Sequence, residues 1–249
     1  MDIEDWYHLD YFNSSDCNKN YSLLDGIDIY LQILEEHNIP SSFFVLGEIA
    51  QSLSFGLNTI INNKNDIGSH GWDHRRPITM SNAEFNDSLI KSKQTIENII
   101  STSVEGYRAS CFSLDREKLD QVQKAGYSYD SSRINFGAHP LYETINMDGY
   151  KLVMPNIFRY NNFFEFQVST YSFHGKNLPI SGGGYLRLLP WYVSKKLIKS
   201  YLNQGEIYIL YIHPFELSSK QNPPFPLSTK WFNRLRFEMG RSTVKDKLS

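Results

Sequence analysis

The sequence predicts an α/β fold with a mostly parallel sheet and helices outside it, arranged as an open sheet or a barrel. Two observations predict this. Short apolar runs of strand length alternate with stretches of helical period, and the reactive polar residues fall just after the apolar runs, where such folds gather their chemistry. Leu23, Leu24, Ile27, Leu31 and Leu34 recur at three- and four-residue steps, so residues 23–37 are expected to form a helix that Asn38 and Pro40 stop. Residues 41–46 follow as a strand ending at Gly47, then a weaker helix over 50–62 and a short strand over 66–69. The helix expected over 82–100 has a start signal, since Ser81 and Glu84 stand at capping-box spacing. Residues 104–109 read as a strand, 115–125 as a helix with Gly126 just past its end, and 127–130 as another strand.

From 140 to 179 helical periodicity is lost and β-formers mix with Asn, Gly and Pro, which predicts hairpins inserted in the series. Pro190 occupies a first-turn position for a helix running to Asn203, Gly205 ends it, and residues 206–212 are the most strand-like stretch of the chain. One more helix is expected over 230–239. With no repeat, low-complexity tract or linker, residues 1–249 are expected to form one domain, with a core over 1–216 and a helical tail over 223–249.

With 249 residues the chain is long enough for a full hydrophobic core, and 41% apolar residues, 21% charged residues and a net charge of −2 argue against disorder and against nucleic-acid binding. The apolar run over 207–212 is far short of the roughly 20 residues needed to span a bilayer, so no membrane span is expected. Cys17 and Cys111 lack metal or disulfide-framework spacing and are expected to be free thiols. The opening Met1-Asp2-Ile3-Glu4-Asp5 has no secretory-signal character, which suggests a cytoplasmic location.

Asp2, Glu4 and Asp5 crowd three carboxylates into four positions. Such groups repel unless a cation or proton intervenes, so they point to a metal site or a general base, the alternative being a solvated acidic segment. His70 and His74, four apart around Gly71, suit a shared metal ion or two hydrogen-bonded structural histidines. Arg108 and Asp130 end two strands, and His213 ends the most apolar one, a position suited to acid or base work. Gly182-Gly183-Gly184 lacks nucleotide-binding spacing and reads as a turn or a close backbone approach to a ligand.

The order of these motifs resembles that of the polysaccharide deacetylases of carbohydrate esterase family 4, with the NodB homology domain, and more narrowly a subgroup opening Asp-x-Glu-Asp-Trp. The resemblance runs from Asp2 to Pro214, with weaker similarity through Gly240-Arg241. Asp2-Ile3-Glu4-Asp5 matches the family's Thr-Phe-Asp-Asp loosely, His70 and His74 match its His-x-x-x-His, and Arg108-Ala109-Ser110 matches its Arg-x-Pro with serine for proline. The resemblance implies a distorted (β/α)7, TIM-like barrel and a hydrolase that removes N-acetyl groups from an amino sugar of a polysaccharide or its precursor. It further implies Asp2 as general base oriented by Arg108, His213 as general acid tuned by Asp130, and one divalent metal ion, zinc, on His70, His74 and either Glu4 or Asp5. Trp72, Tyr185 and Trp191 are expected to form a sugar-stacking wall, and Tyr107, also expected to contact substrate, opens the backbone stretch 107–111 expected to donate to the oxyanion. The implied partner is an N-acetylated oligo- or polysaccharide, and the subgroup suggests exopolysaccharide or capsule synthesis.

Only Met1 precedes Asp2, so the first strand is expected to be nearly absent, its neighbours' ladder groups unpaired and Asp2 mobile. Ser110 is expected to relax the backbone after Arg108. An amidohydrolase acting on a non-sugar C–N bond, and an inactive glycan-binding or assembly relative, are the alternative readings.

Overall fold

In the computed structural model, residues 1–12, 16–136, 144–173 and 175–249 are described; within the predicted hairpin region, 140–143 and 174 lie outside them. Parallel pairing organises the first half: β1 (Asp2–Ile3) lies beside β2 (Ser42–Val45), β2 beside β3 (Asp66–Ser69), β3 beside β4 (Gly106–Tyr107) and β4 beside β5 (Tyr129–Asp130). The predicted hairpins are an antiparallel meander of β6 (Lys151–Met154), β7 (Ile157–Tyr160) and β8 (Phe163–Phe166), with β8 parallel to β5. A separate hairpin, β9 (Thr170–Phe173) with β10 (Lys176–Pro179), follows. β4 is shorter than the sequence suggests. At Gly106 an added Cβ would fall 2.2 Å from the Tyr129 ring, so this crossing needs glycine.

The expected strand over 206–212 is a correction. It runs as an extended segment joined by one bridge, Gly182 to Tyr211. The physical reason is nonlocal: Ser169 Oγ accepts the Ile209 N–H at 2.8 Å and Asn156 Nδ2 donates to the Ile207 carbonyl at 2.7 Å, so side chains take the ladder positions a neighbouring strand would fill. The segment nevertheless closes the barrel. The Asp2 N–H donates to the Ile212 carbonyl at 2.9 Å and the Tyr211 N–H to the Ser181 carbonyl at 2.9 Å. The first strand also departs from expectation, because β1 is paired on both sides and Asp2 is only 2% exposed. The result is the distorted TIM-like barrel that the resemblance implied.

The helices pack outside. α1 (Gly26–His37) ends with Asn38 in the left-handed region, and the weak helix expected over 50–62 breaks into α2 (Gly47–Ala50), one 3₁₀ turn and α3 (Ser54–Asn62). α4 (Asn82–Ile100) carries the Ser81–Glu84 box, and α5 (Arg116–Lys124) is capped by Asp115. The second half adds α6 (Gly183–Leu188), α7 (Trp191–Asn203), α8 (Pro214–Leu217), α9 (Trp231–Glu238) and α10 (Val244–Leu248). An aromatic cluster of Trp6, Phe12, Phe215 and Phe237 binds α9 to the start of the chain, with Phe215 and Phe237 stacked at 4.8 Å.

Candidate active site

Asp2 leaves β1 with its side chain buried against Arg108, which follows β4. Arg108 Nη1 donates to Asp2 Oδ1 at 2.7 Å, while Nε and Nη2 donate to the Ser131 carbonyl and hydroxyl at 2.9 and 2.7 Å. Burial alone would raise the Asp2 pKa, but the Arg108 guanidinium, with His70 and His213, holds the carboxyl well below the usual range. The carboxylate is therefore ionised, fixed in place, and shares a pocket with His70 and His213.

Of the two carboxylates left open by the sequence, Glu4 joins the histidines. Ligand atoms of Glu4, His70 and His74 lie within 4.8 Å of one another, and all three residues are buried. His70 Nδ1 sits 2.8 Å from the Arg108 carbonyl, which can only accept, so Nδ1 carries the proton and Nε2 keeps its lone pair. Burial lowers the His70 pKa to about 4, keeping the ring neutral. Glu4 Oε2 is buried and lies 2.5 Å from His74 Nε2. A buried carboxylate oxygen converging with two imidazole nitrogens is a donor set that suits a divalent cation. Burial opposes charge on Glu4, but His74 outweighs it and brings the pKa down to about 2, so the ligand is anionic. His74 holds a left-handed backbone, φ 59°, a conformation uncommon for a non-glycine residue and suggestive of functional constraint.

Asp5 is used otherwise. Its Oδ1 accepts the N–H groups of Trp6 and Leu23 at 2.8 and 2.9 Å, capping the 3₁₀ turn Trp6–His8, and it lies outside the converging group. Asp130 also differs from its implied role. Its oxygens accept the Ser132 hydroxyl and N–H at 2.7 and 2.8 Å, and Ser132 Oγ accepts the Ala109 N–H, so Asp130 braces the loops that carry Arg108. Burial raises the pKa of Asp130 and of its neighbour Glu165, consistent with a shared proton. Ser110, where the family has proline, donates its hydroxyl to the His70 carbonyl at 3.3 Å, and Cys111 and Phe112 after it are left-handed.

The partner of His213 is Glu216. Glu216 Oε2 accepts the His213 N–H at 3.0 Å and lies 3.3 Å from Nδ1, while Nε2 is 3.5 Å from Glu4 Oε1. Sequence reasoning missed this residue although a signal was present: His213-Pro214-x-Glu216 has capping-box spacing with proline at the first helical position. Burial would lower the His213 pKa, but Glu216, then Glu4 and Asp2, lift it to about 9. A raised folded pKa stabilises the native state fully below the unfolded value of about 6.5 and loses that contribution as pH rises through about 9. Melting of chelator-treated protein should therefore fall across pH 6.5 to 9 more steeply in wild type than in Glu216→Gln; parallel profiles would refute the assignment.

Asp2, Glu4, His70, His74, His213 and Tyr185 all line one cavity of about 420 Å³. Of the expected sugar-contacting rings, only Tyr185 lines it. Trp72 packs at Gly47 beneath the Lys91 ammonium, 3.5 Å from its ring centre, and Tyr107 is buried between Phe85 and Tyr127. Trp191 begins α7 outside the lining. Tyr11, Phe112 and Tyr211, not singled out from sequence, supply rings instead, and Asp10 and Cys111 approach His74 at the same cavity.

The strand ends of the barrel thus gather an ionised carboxylate, two histidines with a glutamate, and a third histidine around one cavity. Residues 25–129 match the family described as polysaccharide deacetylase, and residues 139–249 match a domain of unknown function, DUF3473. The chain is 26% identical over 117 residues to a peptidoglycan deacetylase of Helicobacter pylori, covering 47% of this chain and 40% of that protein. It is 28% identical over 80 residues to a peptidoglycan-N-acetylglucosamine deacetylase of Bacillus cereus, covering 30% and 29%. The chain thus spans less than half the length of these curated relatives. The fold is similar to that of a Mycobacterium smegmatis polysaccharide deacetylase homologue, with TM-score 0.59, 19% identity, and coverage of 94% of this chain and 72% of that one. It is also similar to that of the Puue allantoinase, with TM-score 0.52, 13% identity, and coverage of 76% and 60%. The match to the polysaccharide deacetylase family thus covers residues 25–129, somewhat less than half of the chain. Among the described residues no helix is long and apolar enough to cross a membrane.

Proposed function

We propose that the protein is a metal-dependent N-deacetylase acting on an N-acetylated amino sugar of a polysaccharide or its precursor, with residues 1–249 as one catalytic unit. The observation that carries this reading is the convergence of the buried Glu4, His70 and His74 ligand atoms in the same cavity as Asp2 and His213. A divalent cation held by Glu4, His70 and His74 would supply Lewis acidity toward the acetyl carbonyl and toward water. Asp2, ionised and clamped by Arg108, takes the proton of the attacking water. His213, charged through Glu216, gives a proton to the departing amine, and Tyr185 offers a ring face to the sugar. The relatives named for peptidoglycan support a glycan substrate bearing N-acetylglucosamine.

The test pairs binding with turnover. Protein dialysed against zinc should hold about one ion per chain and release acetate from N-acetylglucosamine oligomers. His70→Ala should lose both the ion and the acetate release, as read by elemental analysis and an acetate assay. Stoichiometric zinc or persistent acetate release in that variant would overturn the assignment.

A further inference from the structure

The segment from residue 139 on, which matches a domain of unknown function, contributes more than His213. Arg187 on α6 is 7% exposed and stands between Glu216 and the end of α9. Its Nε donates to Glu216 Oε1 at 2.9 Å, and its Nη1 donates to the carbonyls of Arg236, Phe237 and Met239 at 3.0, 2.8 and 3.1 Å. These carbonyls belong to the C-terminal turn of α9, where helix geometry leaves oxygens unpaired and the dipole favours a cation. Gly183 makes room for the arrangement, since a Cβ there would lie 1.7 Å from Glu216 Oε2. The carboxylate is thereby held from both sides, Oε1 by Arg187 and Oε2 by the N–H and ring of His213.

We propose that Arg187 is a positioning residue for the proton donor: anchored on the end of α9, it fixes Glu216 and so holds the His213 ring with Nε2 turned into the pocket. The inference rests on the deacetylase reading and gives the C-terminal helix a part in it. In amide hydrolysis the oxygen of water bonds to the carbonyl carbon and a proton of that water passes to Asp2. The C–N bond then breaks, its electron pair stays on nitrogen, and that nitrogen takes a proton from His213 Nε2. An amine leaves poorly without this proton. A 4-nitrophenolate leaves as the anion, so hydrolysis of 4-nitrophenyl acetate needs the same attack but not the same donor.

The experiment uses the full zinc-loaded chain and compares N-acetylglucosamine oligomers with 4-nitrophenyl acetate. Arg187→Met should lower kcat on the oligomer by about 100-fold or more, leave KM close to wild type, and change ester turnover by less than about tenfold. Because the single change strands a buried carboxylate, the double variant Arg187→Met/Glu216→Gln is made as well. With neither charge left it should recover the melting temperature while amide turnover stays low. Equal losses on both substrates, unchanged amide turnover, or recovery of amide turnover in the double variant would overturn the proposal. A wild-type chain that hydrolyses no oligomer counts against the deacetylase reading instead. The clamp is then decided by the NMR resonance of the His213 Nδ1 proton, which should be sharp in wild type and lost to exchange in Arg187→Met; an unchanged resonance overturns it.

Discussion

Asp2→Asn is expected to lower acetate release by about 10²- to 10⁴-fold while the protein stays folded. The amide has the shape of the carboxylate and still offers an oxygen to Arg108 Nη1, now 2.7 Å away, but it cannot take a proton from water. Arg108 also keeps its two bonds to Ser131, so the guanidinium is not left without acceptors. Since the Asp2 pKa lies well below the usual carboxylate range, raising the pH adds no further base, and the deficit should be the same at pH 6 and pH 8. Turnover within tenfold of wild type, in a sample melting like wild type, would mean the base is another group.

Arg108→Met is expected to cost stability more than any of the other substitutions considered. The Asp2 and Arg108 side chains are only 3% and 4% exposed, and removing one partner of such a pair typically costs about 3–5 kcal/mol because a charge is left buried and uncompensated. For a chain of this size each kcal/mol moves Tm by about 2–4 °C, which gives a fall of about 6–20 °C. The pH dependence adds a sign. Without the guanidinium the folded pKa of Asp2 rises relative to wild type, so the penalty is present at neutral pH and shrinks as the carboxyl takes up its proton on lowering the pH. Calorimetry at pH 7 and pH 4 checks both parts, and a Tm within 2 °C of wild type at pH 7 would show that the pair is not what holds this end of the barrel.

The parts of the fold legible in the sequence were those fixed by local chemistry. Ser81 and Glu84 announced α4 because a capping box involves only residues three apart, and His70 and His74 were visible as a pair because their spacing is also local. The choice between Glu4 and Asp5 could have been made on the same terms. In an extended strand alternate residues share a face, so Glu4 follows Asp2 into the pocket, and Asp5 with His8 three residues on has the spacing of a cap. Residues 206–212 misled because their composition suits a strand, while the groups that take their ladder bonds, Ser169 and Asn156, come from distant hairpins. Trp72 was misjudged for a similar reason: a ring two residues from His70 cannot be told from sequence to lie under Lys91. The partner of His213 was drawn from resemblance to Asp130 when local spacing pointed to Glu216.

The site draws on residues far apart along the chain: Arg108 reaches Asp2 across 106 positions, and His213 joins Glu4 from the late segment that closes the barrel beside β1. During synthesis the ribosome releases Asp2 and Glu4 first and His213 and Glu216 last, so a nascent chain carries the earlier groups long before the cavity around them can close. Closure of loops this long is slow relative to helix formation, which makes assembly of the pocket a late event in folding. A chain stopped between residues 188 and 212 would hold Asp2, Glu4, His70, His74, Arg108 and Tyr185 and still lack His213 and Glu216. On the proposed mechanism such partial products would be inert, and the chemistry would come only once residues 213–216 are made.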